Sequence, residues 1–259
     1  MLRGFVSAMR TLTALSVPGR DAEQMTAALP WFSFVGALLG AMLYGLCLLL
    51  DLAGFEYWPE ATALGVVALT AVLTRGMHLD GLADAADGLF SMTDKARTLE
   101  IMKDSRIGTF GVLALIGILA AKWIAVLRLV EKDAVLLMVP ALTVSRAVMA
   151  DLAVSLPYAR EAGGTGAPFV RGAETRHKVI AWTIAALVSA VFGPLGLGAL
   201  ICGFAAAKML GRYYRKRLDG VTGDLLGAAC ELVEAFLLLL GAWASGSLVN
   251  YSHWKFLPI

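Results

Sequence analysis

Three aspartates, Asp80, Asp84 and Asp87, stand at i, i+4 and i+7 in the run from Gly76 to Phe90. A helix turns by about 100° per residue, so all three project from one narrow face. Like charges so spaced repel, and beside an apolar stretch they call for a counter-charge, with a divalent metal the first choice. Oxygen-only donors suit Mg²⁺ or Mn²⁺ better than zinc, so Asp80, Asp84 and Asp87 are read as metal ligands. Gly81 and Gly88 leave room for a second helix or a substrate to approach the backbone. His78 is read as a core or interfacial histidine rather than a ligand or base.

A second acidic face lies far along the chain, in Asp219-Gly220-Val221-Thr222-Gly223-Asp224 and the apolar stretch after it. Asp224 and Glu231 are seven residues apart and share a face, with Gly227 and Ala228 leaving room between them. Glu231 lies within an apolar span, where a purely structural carboxylate is uncommon, so both are assigned to metal binding or proton transfer. Glu234 is turned about 80° away. Thr222 is placed beside Asp224 as a substrate contact.

Basic segments supply the complementary charge. In Met102-Lys103-Asp104-Ser105-Arg106-Ile107-Gly108, Arg106 suits a phosphate as a bidentate fork and Lys103 as a point charge. Ser105 adds a hydroxyl at a helix start, an anion-friendly place. The Gly-rich loop Pro157 to Gly166 has Arg160 as its anchor and no Walker pattern. Arg146 sits mid-span, at a cost of roughly 2.5–3.5 kcal/mol on insertion scales, so it pairs with an acid or contacts ligand.

The elements that must position these groups are membrane helices. Of 259 residues, 59% are hydrophobic and 16% charged, and mean hydropathy is +0.74. A soluble domain carries roughly a quarter charged residues, so a soluble enzyme is excluded. The reading is all-α and polytopic, with about seven transmembrane helices (six to eight) in one domain over residues 1–259. Spans are expected at 31–52, 60–79, 108–130, 133–153, 178–193, 195–214 and 224–249. Met1 to Val17 reads as an interfacial amphipathic helix rather than a signal peptide, because Arg10 interrupts the apolar run. Cys47, Cys202 and Cys230 lie in apolar stretches without metal-ligand spacing, so no disulfide is expected.

Lys and Arg sort across this topology. Arg3, Arg10, Arg20, Arg75, Lys95, Lys103, Arg106, Arg160, Arg171, Lys178 and the basic run ending at Arg217 share one side. Arg128, Lys132 and Lys255 are on the other. By the positive-inside rule the first side is cytoplasmic, and after seven spans the C-terminus is outside. All the polar clusters except Arg146 fall at cytoplasmic ends of spans. Two acidic helix faces ringed by Lys and Arg suit transfer of a phosphoryl group from a pyrophosphate to a hydroxyl. A lipidic or membrane-associated substrate follows from the location.

His78-Leu79-Asp80-Gly81-Leu82-Ala83-Asp84 through Gly88, then Met102 to Gly111, then Thr222-Gly223-Asp224 with Gly227-Ala228, resemble the adenosylcobinamide-GDP ribazoletransferase (cobalamin-5′-phosphate synthase) family. Order and spacing agree over nearly the whole chain. The resemblance implies the step of vitamin B12 synthesis that assembles the nucleotide loop. A ribose hydroxyl of α-ribazole or α-ribazole 5′-phosphate attacks adenosylcobinamide-GDP and releases GMP, with Mg²⁺ required. It also implies a bacterial inner-membrane location with the site facing the cytoplasm. No nucleic-acid partner is expected, and a homo-oligomer stays open.

A looser likeness links Asp84-Ala-Ala-Asp87-Gly88 to CDP-alcohol phosphotransferases, whose second half is matched by Gly220 and Asp224. Their last acidic position is Ala228 here, and their Ala-Arg pair is missing, which argues against a plain phospholipid synthase. The general base is then unassigned, with Glu231 and Asp104 the two candidates. A cation transporter is the alternative of a different class, and the one-sided acids argue against it.

Overall fold

A computed structural model describes residues 2–55 and 58–247. Among the described residues there is no strand, only eleven α-helices and short 3-10 turns. The protein is an all-α polytopic membrane protein. Helix α1 (Leu2–Leu12) is amphipathic, with Arg10 in its last turn paired to Asp21 at 2.8 Å. A 3-10 segment leads into α2 (Phe32–Leu52), which is followed by α3 (Pro59–Leu73), α4 (Met77–Phe90) and the short α5 (Lys95–Ile101). Then come α6 (Thr109–Glu131), α7 (Met138–Ser155), the single turn α8 (Ala167–Val170), α9 (Thr175–Val191), α10 (Gly193–Leu218) and α11 (Gly223–Ser247).

Five helical segments are long and apolar enough to cross a membrane, and a sixth arises if α3 and α4 count as one bent span. Counted with the bent pair, these helices reach the lower end of the expected six to eight. One reason the count stays at that end is α9, whose 17 residues make roughly 26 Å of helix, short of a full hydrocarbon core. The other is the expected span 60–79, which breaks. Arg75 and Gly76 take left-handed backbone at φ 54° and 64°. The Gly76 N–H reaches back to the Ala71 carbonyl at 2.8 Å, closing α3. The chain then turns through 86° into α4. The acidic run thus lies on a helix of its own rather than in a hydrophilic link. The outer placement of Lys255 and the C-terminus lies outside the described residues.

Helix α7 is the hub, in contact with α2, α9, α10 and α11. It is buried on nearly every side from Met138 to Ala153, its apolar surface packed all round and its charged Arg146 and Asp151 each paired with opposite charge. The second centre is α11, which packs on α4, α6 and α7. The crossing of α4 with α11 brings the two acidic faces together. Its closeness has a sequence cause: a Cβ at Gly81 would lie 2.9 Å from the Asp224 carbonyl oxygen, and one at Gly227 3.2 Å from the His78 Cα. Each glycine thus admits the other helix's backbone.

Candidate active site

At this crossing Asp80 and Asp84 of α4 face the first turn of α11, where Asp224 sits, and Asp84 lies in the electrostatic reach of Asp80, Asp87, Asp224 and Arg160. Among the described residues neither Asp80 nor Asp84 has a side-chain hydrogen bond or an ion pair. Asp224 does: Arg160 donates to its Oδ2 at 2.9 Å, and the Thr222 hydroxyl approaches the same oxygen at 3.3 Å. Arg160 is carried there by the loop after α7. That loop is stitched to the start of α11 by Ala159 N–H donating to the Val221 carbonyl and Val221 N–H to that of Pro157, both at 2.9 Å. Arg160 Nε and the Tyr158 hydroxyl are buried without a partner among the described residues, so this corner retains donors.

A cleft of about 540 Å³ opens beside Arg160, lined among others by Lys95, Leu99, Lys103 and Glu161. Lys103, expected as a phosphate contact, is exposed and lines that cleft. Ser105 is exposed at its edge in sequence. Arg106 is 87% exposed and turned onto its neighbour Asp104, with Nη2 2.6 Å from Oδ2.

Four of the expected site groups are engaged with other partners in the structure. Asp87 is not aimed at its fellow acids. Its two oxygens accept the N–H groups of Gly108 at 2.7 Å and Gly111 at 2.8 Å, so it caps the start of α6. A Cβ on either glycine would come within 2.5 Å of that carboxylate, which explains the two glycines. Asp87→Ala should lower stability by about 1–2 kcal/mol, the worth of a cap, read as a lower melting temperature in detergent with Mg²⁺ affinity unchanged. An unchanged melting temperature with Mg²⁺ affinity lost would return Asp87 to the metal ligands.

Asp104 is the second: the Arg106 N–H and guanidinium both donate to its carboxylate, at 3.0 and 2.6 Å, which holds the carboxyl below the usual carboxylate range. Thr222 is fully buried, and its hydroxyl accepts the Leu225 N–H at 3.3 Å, so it caps α11 instead of facing substrate.

The fourth joins Glu231 to Arg146, which meets the acid partner expected of it rather than a ligand. Both are buried in an ion network two turns below Asp224. Lys122 of α6 donates to Glu231 at 2.5 Å and to Glu234 at 2.7 Å, and Arg146 pairs with Glu234. Arg146 is completely buried and also donates to Ser145 at 3.0 Å. Neither residue reaches the cleft. Lys122 went unnoticed in the sequence, although a lysine midway along an apolar span is itself a signal that a buried carboxylate awaits it.

The chain is also similar to proteins of known family. The family model described as cobalamin-5-phosphate synthase matches residues 4–242. The chain belongs to the cobalamin-5-phosphate synthase family. An adenosylcobinamide-GDP ribazoletransferase of Chlorobium phaeovibrioides is 43% identical over 243 residues, 92% of this chain and 96% of the relative. Proteins of the same name from Chlorobaculum tepidum and Klebsiella pneumoniae are 40% identical over 261 residues and 39% over 250. They cover 95% and 92% of this chain, and 98% and 99% of their own lengths is matched. No solved structure matches the chain.

For this member of the cobalamin-5-phosphate synthase family, the fit of a hard divalent cation rests on donor chemistry. Asp80 and Asp84 are carboxylates without a partner among the described residues, held opposite Asp224, and such a cluster is relieved by a cation. As the side chains stand, no three His, Cys, Asp or Glu groups gather at metal-ligating distance among the described residues. Asp87 is engaged with backbone, and Asp224 with Arg160.

Proposed function

We propose that the chain is a Mg²⁺-dependent transferase that joins α-ribazole, or its 5′-phosphate, to adenosylcobinamide-GDP. The observation that carries this reading is a pair of carboxylates without a partner among the described residues, Asp80 and Asp84, set across from Asp224, whose partner Arg160 lines a cleft together with Lys95 and Lys103. In the reaction, a ribose hydroxyl oxygen bonds to the phosphorus that carries the adenosylcobinamide group. The bond from that phosphorus to the GMP oxygen breaks, the hydroxyl proton is lost and GMP leaves.

The chain's own residues divide the work. Lys103 and Arg160 bind the pyrophosphate oxygens and offset their charge, the main task in phosphoryl transfer. Arg160 is positioned for this by its bond to Asp224, and substrate taking the guanidinium would free that carboxylate to hold a cation. Asp80, Asp84 and Asp224 would hold Mg²⁺, which supplies charge neutralisation at the phosphoryl oxygens. The 86° bend before α4 keeps this site at the end of the bundle that bears the basic loops, by our reading the cytoplasmic face of a bacterial inner membrane. Water-soluble nucleotides reach it there while the bilayer holds the rest of the protein.

The test is direct. Purified protein in vesicles, given adenosylcobinamide-GDP, α-ribazole and Mg²⁺, should release GMP in step with corrinoid product. Failure to consume adenosylcobinamide-GDP under those conditions sinks the proposal, and CMP release from a CDP-lipid instead would make it a phospholipid synthase.

A further inference from the structure

Away from that site, α9 and α10 diverge to leave a crevice of about 670 Å³ against α7, walled by Trp182, Leu200, Ile201 and Phe204. Its polar end is built on Asp151, whose side chain is 3% exposed. Four groups saturate that carboxylate: Ser155 Oγ at 2.6 Å, Trp182 Nε1 at 2.9 Å, Lys208 Nζ at 3.2 Å and Lys178 Nζ at 3.7 Å. Lys178 also donates to Ser155 at 2.8 Å, and Lys208 lies over the Phe204 ring at 4.7 Å.

Two ammonium groups thus share a single carboxylate, leaving one positive charge in excess. An ammonium has three donors, and each lysine spends one here, so both still have donors directed away from Asp151. The side chain of Lys208 is 43% exposed on a helix that crosses the membrane. A cation in that position is costly unless it reaches the interface or meets an anion. Its depth fits the interface. Lys178 is in the first turn of α9, Asp151 one turn before the end of α7, and Lys208 one turn before the basic run Arg212, Arg215, Lys216 and Arg217. All lie at the bundle end that carries Asp224.

We propose that this crevice is a binding site for one anionic phospholipid. The headgroup phosphate takes the free donors of Lys178 and Lys208, and an acyl chain runs along Trp182, Leu200, Ile201 and Phe204. The volume lies within the range of specific ligand pockets. A zwitterionic lipid fits less well, because its own cation finds no acid in the crevice except Asp151, which is already saturated.

The test is native mass spectrometry of the full chain released from bilayers of mixed phosphatidylcholine and phosphatidylglycerol. One phosphatidylglycerol should be retained with about a tenfold preference over phosphatidylcholine, as expected for one or two lysines acting on headgroup charge. Lys178→Gln with Lys208→Gln should abolish the preference, and Arg128→Gln, at the opposite end, should leave it intact. Because the double variant also loosens Asp151, Ile201→Trp is the companion: it fills the crevice, leaves every polar contact, and should reduce retention of the lipid. Equal retention of the two lipids, or a preference that survives both the double variant and Ile201→Trp, overturns the proposal. So does displacement of the lipid by inorganic phosphate alone, which would make the site one for free anions.

Discussion

Asp84→Asn and Asp224→Asn should each cut turnover by about 10³-fold, the usual loss when a preorganised charge at the reacting group is removed. Both substitutions preserve shape and take away one negative charge, and the structure says how the protein tolerates each. Asp84 has no hydrogen bond or ion pair among the described residues, so asparagine there breaks nothing that holds α4 in place. Asp224→Asn gives up the charge of its pair with Arg160, whose side chain is 10% exposed. The loss is about 1–3 kcal/mol, since an amide oxygen still accepts the guanidinium N–H. The melting temperature of Asp84→Asn should therefore stay near wild type and that of Asp224→Asn should fall by several degrees, while kcat falls far more steeply in both and the Mg²⁺ concentration for half-maximal rate rises. Wild-type rates in either variant would refute the assignment of these acids to the metal. A collapse of melting temperature in parallel with rate would instead mark them as structural.

The sequence carried the fold class, an all-α polytopic membrane protein, and it placed the acids of the candidate site on helices. The spacing of Asp80, Asp84 and Asp87 placed three acids on one helical face, and α4 is that helix. Gly81 and Gly227 were visible as openings for a close approach, and the helices cross there. What spacing could not reveal is where each side chain turns once its neighbours arrive. Asp87 differs from Asp84 by less than one turn, yet the start of α6 brings two N–H groups to it and none to Asp84. Hydropathy likewise ran straight through Thr74, Arg75 and Gly76, because a break made by left-handed backbone costs no apolarity. Glu231 shared a face with Asp224, but its height along α11 decided its partner. Seven residues of rise is roughly 10 Å, enough to leave the polar end and meet Lys122.

That difference in height yields the second large effect. Lys122→Met strands Glu231 and Glu234 in a buried place with only Arg146 to answer them. Removing one partner of a buried ion pair costs about 3–5 kcal/mol, so this variant should melt far below wild type and accumulate poorly in membranes. The cost lies in the uncompensated charge rather than in lost attraction, so it should be largely recovered when the orphaned acid is removed too. Lys122→Met with Glu231→Leu leaves the neutral Arg146 and Glu234 pair in an apolar setting, and the paired substitutions should be strongly non-additive. Additive losses of melting temperature would mean that the four groups do not form one network. The same double variant decides what Glu231 does. If Glu231 were the proton acceptor of the reaction, the rescued fold would remain inactive. With Glu231 buried beneath the candidate site and bonded to Lys122, turnover per folded molecule should return with stability, because the acids proposed to hold Mg²⁺ lie on the turns above it.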